Sequence, residues 1–268
     1  MTSTLTQRYG GAVPEPMISH PAIEALLAHR SVRAFKPDKL PAGTLQAIIA
    51  AAQSAATSSN LQTWSVAAVE DQARKQRFAA LAGGQQHIAD CPLFLVFLAD
   101  HARLAGIAAW RSIAHGGLDY LESYLVAAID AALAGQNAAV AAEALGLGTV
   151  YIGALRNRPE EVAAELRLPP GAMAVFGLCI GYENPAGKTA IKPRLPQPAV
   201  LHRETYDPDA WRQVIEAYET AMRAFNTRER TGQEDWSFRS ARRVEAGSSL
   251  SGRDRLKQAL RALGFALK

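Results

Sequence analysis

Hydrophobic positions along the chain repeat with two periods, one typical of amphipathic helices and the other of buried strands. Apolar spacing and helix-start residues predict helices over residues 21–30, 41–56, 72–81, 159–167, 209–225 and 253–263. Short apolar runs predict strands over residues 64–69, 93–99, 148–152 and 173–182. Because the strands are few and alternate with many helices, the pattern predicts a mixed α+β layer built around a small sheet.

The longest apolar stretch, residues 118–145, predicts one Ala-rich helix that ends at Gly146. Apolar residues occur almost all round this helix, so it must be buried, either at the centre of the domain or across a dimer interface. Its most apolar part, residues 125–145, is interrupted by the polar residues Asp130, Gln136, Asn137 and Glu143. A bilayer-spanning helix would rarely tolerate these interruptions, so the sequence predicts no transmembrane segment.

Composition favours a folded protein of a reducing compartment. The chain is 49% hydrophobic and 20% charged, with 20 Gly, 14 Pro and 2 Cys, which excludes disordered, collagen-like and disulfide-framework proteins. Cys91 and Cys179 adjoin apolar runs without zinc-binding spacing and are predicted to be small buried hydrophobes. We expect a flexible leader over residues 1–19, a single domain over residues 20–268 with a basic helical C-terminal extension, and a cytoplasmic location.

The net charge of +4 is distributed unevenly along the chain. Residues 226–268 contain ten Lys and Arg against five Asp and Glu, a local charge of +5, whereas residues 1–225 carry −1. One hypothesis is therefore a protein that binds nucleic acid or another anionic partner through this basic segment. Against it, Trp236 and Phe238 are the only aromatics interleaved with these arginines, and +5 is small for affinity driven by phosphate contacts.

Two cationic clusters lie outside the predicted regular elements. The first follows the first predicted helix and contains His29, Arg30, Ser31 and Arg33. The second contains Lys192 and Arg194, with Pro193 stiffening the backbone between them. Guanidinium groups match phosphate oxygens well, so the two clusters could converge on one dianionic phosphate. The alternatives are a basic helix end that interacts with its own dipole and a solvated loop.

Short polar and glycine-rich segments form a third group of candidates. Residues 57–62, which include Ser58, Ser59 and Asn60, could line a polar heterocycle or only form a turn, and Gly83-Gly84-Gln85 is similar. The glycines of residues 146–156 lack the GxGxxG spacing and are followed by no acidic residue placed to hold a ribose, which argues against a Rossmann unit. The backbone at Gly153 could still approach a planar ligand closely.

Several catalytic motifs are absent from the sequence. It contains no GxSxG elbow, no HExxH, no CxxC pair and no P-loop, so hydrolytic and metal-dependent activities lose most of their support. If the protein is an enzyme, an organic cofactor is expected to carry the reactivity.

Six motifs in order resemble those of the FMN-dependent nitroreductase superfamily, and most closely its oxygen-insensitive NADPH nitroreductases and NADPH–flavin oxidoreductases. They are residues 29–33, 57–62, 83–85, 151–156, 176–181 and 192–196, and the resemblance runs from about His20 to the C-terminus. It implies an α+β homodimer with a small mixed or antiparallel sheet surrounded by helices. It also implies FMN at the subunit interface and dimerisation through the long central helix.

The resemblance also implies roles for individual residues. Those expected to bind the FMN phosphate, ribityl chain and ring edge are His29, Arg30, Ser31 and Arg33, with Lys192 and Arg194 completing the phosphate clamp. Those expected to line the flavin from the partner chain are Ser58, Ser59 and Asn60. Gln85 would hydrogen-bond the ring, and the stretch passing over its face near N5 is Tyr151, Ile152, Gly153, Ala154 and Leu155. Ala154 departs from the group's pattern, which often has a second Gly there.

The activity implied by the resemblance is hydride transfer from NADPH through FMN N5 to nitroaromatics, quinones or free flavin in a ping-pong cycle. No protein group is required as an acid or base, so the protein would position and tune the flavin. The candidates for the NADPH 2′-phosphate are Arg228, Arg239, Arg242 and Arg243. Another FMN reductase of the same fold, of the dehalogenase type, is the alternative within the superfamily.

Overall fold

The computed structural model describes residues 2–14 and 16–268. Its strands are β1 (Trp64–Val69), β2 (Leu93–Asp100), β3 (Gly148–Ile152) and β4 (Ala172–Gly181). Its helices are α1 (Thr2–Tyr9), α2 (Pro21–Leu27), α3 (Thr44–Gln53), α4 (Gln72–Leu81), α5 (His87–Asp90), α6 (Ala102–Trp110), α7 (Leu121–Ala144), α8 (Pro159–Leu166), α9 (Ile215–Glu229), α10 (Trp236–Arg243) and α11 (Leu256–Ala262).

The four described strands form one antiparallel sheet in the order β1-β2-β4-β3. Strand β2 is buried along its whole length, as its continuous apolar sequence predicts. Its residues 94, 96 and 98 belong to one apolar cluster and residues 93, 95 and 97 to another. Because alternate residues of a strand face opposite sides, the sheet carries a core on each face. The predicted small antiparallel sheet among helices is confirmed.

Helix α7 packs its small residues on one face of this sheet. Its buried positions include Ala127, Ala131, Ala134, Ala138 and Ala142. At Gly135 the approach is closer still, because a Cβ there would lie 2.6 Å from the Phe176 ring. The helix is long and apolar enough to cross a membrane by length and composition alone, but its Ala-rich face is buried in the protein interior, as in a core helix.

The opposite face of α7 is exposed, so the helix is not buried all round as its composition suggested. The large apolar side chains on this face are Leu121, Leu125, Ile129 and Leu133, and each is between 43% and 56% exposed. They recur every four residues and therefore form one stripe along the helix. We call these four residues the α7 stripe.

The chain divides into two compact units. One contains residues 31–187 and 250–268, including the sheet and α7. The other contains the residues up to Arg30 together with residues 188–249. In this second unit Tyr218, Met222 and Phe225 of α9 form a buried cluster, against which Trp236 of α10 packs. The basic segment 226–268 is thus divided between the two units.

Several helices depart from the predicted pattern. Helix α9 begins at Ile215, after a 3-10 turn at Ala210–Gln213, and continues to Glu229 instead of ending at residue 225. Helices α6 and α10 were not predicted, because one is Ala-rich without a clear apolar period and the other is largely polar.

The predicted leader, residues 1–19, contains helix α1, whose Leu5 and Arg8 side chains are buried. Met1 and Glu15 of that segment lie outside the described residues, and the domain boundary at residue 20 stays a prediction. Cys91 and Cys179 are buried, as predicted.

Candidate functional site

A buried arginine near the N-terminus connects the two cationic clusters. The Arg8 guanidinium donates hydrogen bonds to the backbone carbonyls of Leu27 at 2.6 Å and His29 at 2.7 Å. It also donates to the carbonyl of Lys192 at 2.9 Å, and the Arg194 N–H donates to the Arg8 carbonyl at 2.8 Å. One residue therefore holds together two segments that are far apart in the sequence. The hypothesis that the clusters converge is supported at His29 and Lys192.

The loop that carries Lys192 and Arg194 presents both cations to solvent from a fixed backbone. Both side chains are exposed, whereas Pro193 between them is buried. The Arg194 guanidinium donates to the Lys192 carbonyl at 3.2 Å, and the Lys192 ammonium lies 5.9 Å from the centroid of the Phe225 ring. Because proline restricts φ, the backbone that carries the two cations follows a fixed path.

The other half of the first cluster runs beside strand β3. The Val32 N–H donates to the Thr149 carbonyl at 2.9 Å, and the Val32 side chain is buried against Gly148. A Cβ on Gly148 would lie 2.6 Å from Val32 Cγ2, so only glycine permits this contact. Successive side chains of an extended segment point to opposite sides, so Ser31 and Arg33 point away from the side on which Val32 is buried.

Strand β3 ends in a 3-10 turn, Gly153–Asn157, that was predicted to pass over a planar ligand. Ile152, Ala154 and Leu155 are all buried in the core, so this stretch offers a ligand mainly its backbone. The Arg156 guanidinium packs beside Gly153, with its Nη2 3.4 Å from the place where a Cβ on Gly153 would lie. The Ala154 methyl belongs to that core, and it therefore does not narrow the space over the turn. Burial, reinforced by the charge of Glu143, raises the pKa of Tyr151 well above its ordinary value.

A buried carboxylate on α7 holds the polar loop at residues 57–63. Asp130 is 2% exposed, and its Oδ2 accepts hydrogen bonds from the Thr57 hydroxyl at 2.6 Å and from the Thr63 N–H and hydroxyl at 3.0 Å and 2.9 Å. Its Oδ1 accepts from the Ser58 N–H at 3.2 Å. The loop is therefore attached at both ends to one side chain of the central helix.

The same loop is strained and faces solvent. Ser59, Asn60 and Gln62 have φ values of +49°, +55° and +54°, a left-handed conformation that is unusual for residues other than glycine. Each such residue costs on the order of 1–3 kcal/mol, so the hydrogen bonds to Asp130 offset this strain. A cavity of about 540 Å³ adjoins the loop, with Asn60, Gln62 and Arg103 among its polar lining residues.

The segment Gly83-Gly84-Gln85 forms the turn after α4. Gly83 and Gly84 have φ values of +79° and +78°, and among the described residues no side chain or distant backbone atom lies within 4 Å of a Cβ placed on either of them. The left-handed backbone, and not close packing, therefore requires glycine here. The Gln85 amide donates to the Ala82 carbonyl at 2.9 Å, which orients this side chain.

His87, at the start of α5, follows this turn and has a buried Nε2 without a hydrogen-bond partner among the described residues. Burial, together with the charge of Arg33, lowers the pKa of His87. Its ring is therefore neutral at pH 7, and it lies within the electrostatic range of a predicted flavin-binding residue.

Comparison with known proteins identifies the family. Residues 26–182 match the nitroreductase family, and residues 192–268 match the C-terminal domain of that family. The chain belongs to the nitroreductase family. The predicted family and its α+β fold are thereby confirmed, and the protein is an enzyme, an oxidoreductase of this family.

Individual nitroreductase relatives resemble the chain over most of their length. It is 41% identical over 222 residues to the FMN reductase (NAD(P)H) of Bacillus subtilis (strain 168), with 80% of this chain and 87% of that protein covered. It is 42% identical over 188 residues to the oxygen-insensitive NADPH nitroreductase of Salmonella typhimurium, covering 70% and 75% of the two chains. The solved structure of NfrA2 from B. megaterium superposes with a TM-score of 0.87 at 36% identity, covering 93% of this chain and all of that one.

The four tail arginines of this nitroreductase have different surroundings. Arg228 shares a cavity of about 540 Å³ with Arg30, forms an ion pair with Glu229 at 2.8 Å and lies over the Phe225 ring. Arg242 lies 3.9 Å from a Glu234 carboxylate oxygen. The arginines of α10, namely Arg239, Arg242 and Arg243, are all exposed. Arg228 is thus the tail arginine that the described structure places beside a residue of the first cationic cluster.

Sequence reasoning missed three residues of this nitroreductase that the structure places at the candidate site. Asp130 carried a signal, as an acid in the middle of an Ala-rich helix, but it was used only to argue against a membrane segment. His87 follows the Gly-Gly-Gln turn without a recognisable motif. Arg8 carried no signal, because it lies in residues expected to be a loose leader.

Proposed function

We propose that this nitroreductase-family oxidoreductase binds FMN and reduces flat, electron-poor acceptors such as nitroaromatics, quinones and free flavin with electrons from NADPH. FMN, when bound, supplies the redox chemistry by accepting a hydride at N5 from NADPH and then passing it to the acceptor in a ping-pong cycle. The names of the relatives support this proposal, since they include an FMN reductase and an NADPH nitroreductase. We also propose a cytoplasmic location.

The observation that carries the proposal is the convergence of the two cationic clusters through Arg8. The donors that we assign to the FMN phosphate are His29, Arg30, Lys192 and Arg194. An array of fixed guanidinium and ammonium groups suits a dianionic phosphate, which accepts several charge-assisted hydrogen bonds at once. The Arg8 bonds fix the backbone beneath His29 and Lys192, so these side chains need little rearrangement when the ligand arrives.

We assign the rest of the cofactor to residues of the sheet-containing unit. Ser31 and Arg33 extend along β3 and are assigned to the ribityl chain and the ring edge, while Gln85 is assigned to a ring hydrogen bond. The turn at Gly153 would offer the ring the backbone of Tyr151, Ile152, Gly153, Ala154 and Leu155, with the Arg156 guanidinium beside Gly153. Because no titratable protein group is required at the ring, these residues act by binding and orienting it.

We propose that the α7 stripe forms the centre of a homodimer interface. Each of these four side chains is about half exposed, so covering it contributes on the order of 1 kcal/mol, about half of the value for a fully exposed apolar side chain, and together they favour covering the stripe. The loop residues Ser58, Ser59 and Asn60 would then line the flavin of the partner chain. Asp130 on α7 attaches this loop to the helix that carries the stripe.

The tail arginines are assigned to the 2′-phosphate that distinguishes NADPH from NADH. Arg228 is favoured, because it shares a cavity with Arg30 and two guanidinium groups at one cavity suit a phosphate. Arg239, Arg242 and Arg243 on α10 are the further candidates.

Initial-rate kinetics test the ping-pong proposal. NADPH would be varied at several fixed concentrations of a quinone acceptor, using protein loaded with FMN. Parallel lines in the double-reciprocal plot are expected, because NADPH oxidation and acceptor reduction occur in separate half-reactions. Intersecting lines, or activity that is independent of added FMN in the flavin-free protein, would overturn the proposal.

A further inference from the structure

Helix α1 lies before the residues that match the nitroreductase family, which begin at residue 26. If this helix were exposed and loosely attached, we would expect it to have no part in the chemistry of the site. Its residue Arg8, however, is only 5% exposed. Burying a guanidinium is costly in free energy unless its N–H groups donate hydrogen bonds, so the contacts of Arg8 must offset that cost.

Arg8 donates hydrogen bonds to backbone carbonyls of two segments. Its two terminal nitrogens reach Leu27, His29 and Lys192 at 2.6–2.9 Å, and the carbonyl of Arg8 itself accepts from the Arg194 N–H. Because these acceptors are main-chain atoms, the bonds fix the path of the chain at Leu27, His29 and Lys192.

The position of Arg8 is itself fixed by the packing of α1. Leu5, one turn earlier on the same helix, is 5% exposed, and the helix ends where the Gly10 N–H donates to the Thr6 carbonyl at 2.8 Å. Gly10 has a φ of +61°, and a Cβ there would lie 3.1 Å from the Ala221 Cβ of α9. The helix is therefore seated on the unit that carries both cationic segments.

We propose that Arg8 is a positioning residue that sets the spacing between the His29 and Lys192 segments and thereby gives the site its affinity for the phosphate group of FMN. This inference rests on the proposed binding of FMN. The planar guanidinium of arginine can donate hydrogen bonds to several carbonyls in different directions at once. The ammonium of lysine is a compact point charge on a flexible stem and cannot hold the same carbonyls in one fixed geometry. The role therefore requires the geometry of Arg8 as well as its charge.

The test compares the affinities of the full-length flavin-free protein for FMN and for riboflavin, which lacks the phosphate. In Arg8→Met, which keeps an unbranched apolar side chain, the Kd for FMN is expected to rise about tenfold or more, as for lost hydrogen bonds to a charged group. The Kd for riboflavin is expected to stay within about twofold of the wild-type value, since only the phosphate contacts depend on the spacing of the segments.

Two further variants separate positioning from charge and from stability. Arg8→Lys keeps the charge and is expected to lose FMN affinity nearly as much as Arg8→Met, and it decides the question if the methionine variant does not fold. Arg212→Met is the matched control, because Arg212 is an exposed arginine of the same unit that pairs with Asp209. It is expected to bind both ligands as the wild type does.

Each other outcome contradicts the inference in a distinguishable way. Equal losses of affinity for FMN and riboflavin would show that Arg8 only stabilises the fold. Wild-type affinity for FMN in Arg8→Lys would show that the charge of Arg8, and not its geometry, is what the site requires. Failure of the wild-type protein to bind FMN would overturn the proposed function itself, and this inference with it.

Discussion

The Asp130 carboxylate accepts hydrogen bonds from both the backbone N–H and the hydroxyl of Thr63, at 3.0 Å and 2.9 Å. Through these bonds and those from Thr57 and Ser58, the central helix fixes a loop whose left-handed residues would otherwise be costly. The relationship links the helix proposed to form the dimer with the loop proposed to line the flavin.

The first prediction concerns this link. In Asp130→Asn one acceptor oxygen becomes an NH₂ group that faces N–H and O–H donors, so at least one buried donor loses its partner. The free energy of unfolding should fall by about 1–3 kcal/mol, and the Kd for FMN should rise because the loop is no longer held in place. Urea denaturation and flavin titration measure the two effects.

The matched control for this prediction lies two turns along the same helix. Asn137 donates to the Ala51 carbonyl at 3.1 Å and so connects α7 to α3 without touching the loop. Asn137→Ala should lower stability while leaving the affinity for FMN unchanged. If both variants weaken FMN binding in proportion to their loss of stability, the loop has no separate role.

The sequence predicted most elements because their patterns are local. Strands β1 and β3 and helix α4 begin and end at the predicted residues, since burial, propensity and turn residues agree there. The difference between the two faces of α7 could not be predicted, because apolar residues occur on both of them. The two faces differ in the size of their side chains: alanines pack on the sheet, whereas the larger Leu125 and Ile129 are exposed on the opposite face.

The rest of the candidate site could not be predicted from the sequence, because it depends on contacts between residues that are far apart in the chain. Nothing local distinguishes Arg8 from a solvated arginine, because its role depends on carbonyls at residues 27, 29 and 192. The motifs singled out the two cationic clusters, but the sequence could not show which backbone contact connects them.

The second prediction tests the proposed dimer. Ile129→Glu places a charge in the α7 stripe and should convert a dimer to monomers, because the carboxylate would have to be buried without a partner. Sedimentation velocity measures the change. Ala80→Glu adds the same charge at an exposed position of α4 and should leave the dimer intact. A wild-type monomer, or a dimer that persists in Ile129→Glu, would contradict the assignment of the stripe.

The third prediction concerns coenzyme choice. Arg228→Ala should raise the KM for NADPH about tenfold while leaving the KM for NADH nearly unchanged, since only NADPH carries the phosphate that the guanidinium would contact. Steady-state kinetics with both coenzymes measure the difference. The double variant Arg242→Ala/Arg243→Ala should show a smaller effect. Equal changes for the two coenzymes would show that Arg228 reads some other feature.

The fourth prediction follows from an ion pair network. The Arg77 guanidinium, aided by Arg74, holds the pKa of Glu165 at about 2 against the opposing effect of burial. A depressed carboxyl pKa adds stability that is complete above the ordinary pKa of 4.5 and is lost as the pH falls toward 2. Because both arginines are partly exposed, we expect Glu165→Gln to cost only about 1–2 kcal/mol at pH 7.

Urea denaturation at several pH values checks this dependence. The difference in stability between the wild type and Glu165→Gln should shrink steadily below about pH 4.5, as the unfolded chain takes up a proton that the folded protein resists. A difference that stays constant down to pH 2.5 would show that packing, and not charge, accounts for the cost.

Anaerobic titration of the purified protein with NADPH, followed by absorbance, tests the central claim most directly. The protein should be yellow as isolated or after reconstitution with FMN, and NADPH should bleach the flavin absorbance in proportion to the bound flavin. Addition of a quinone should then restore the colour. A colourless protein that cannot be reconstituted with FMN, or a bound flavin that NADPH does not bleach, would contradict the account.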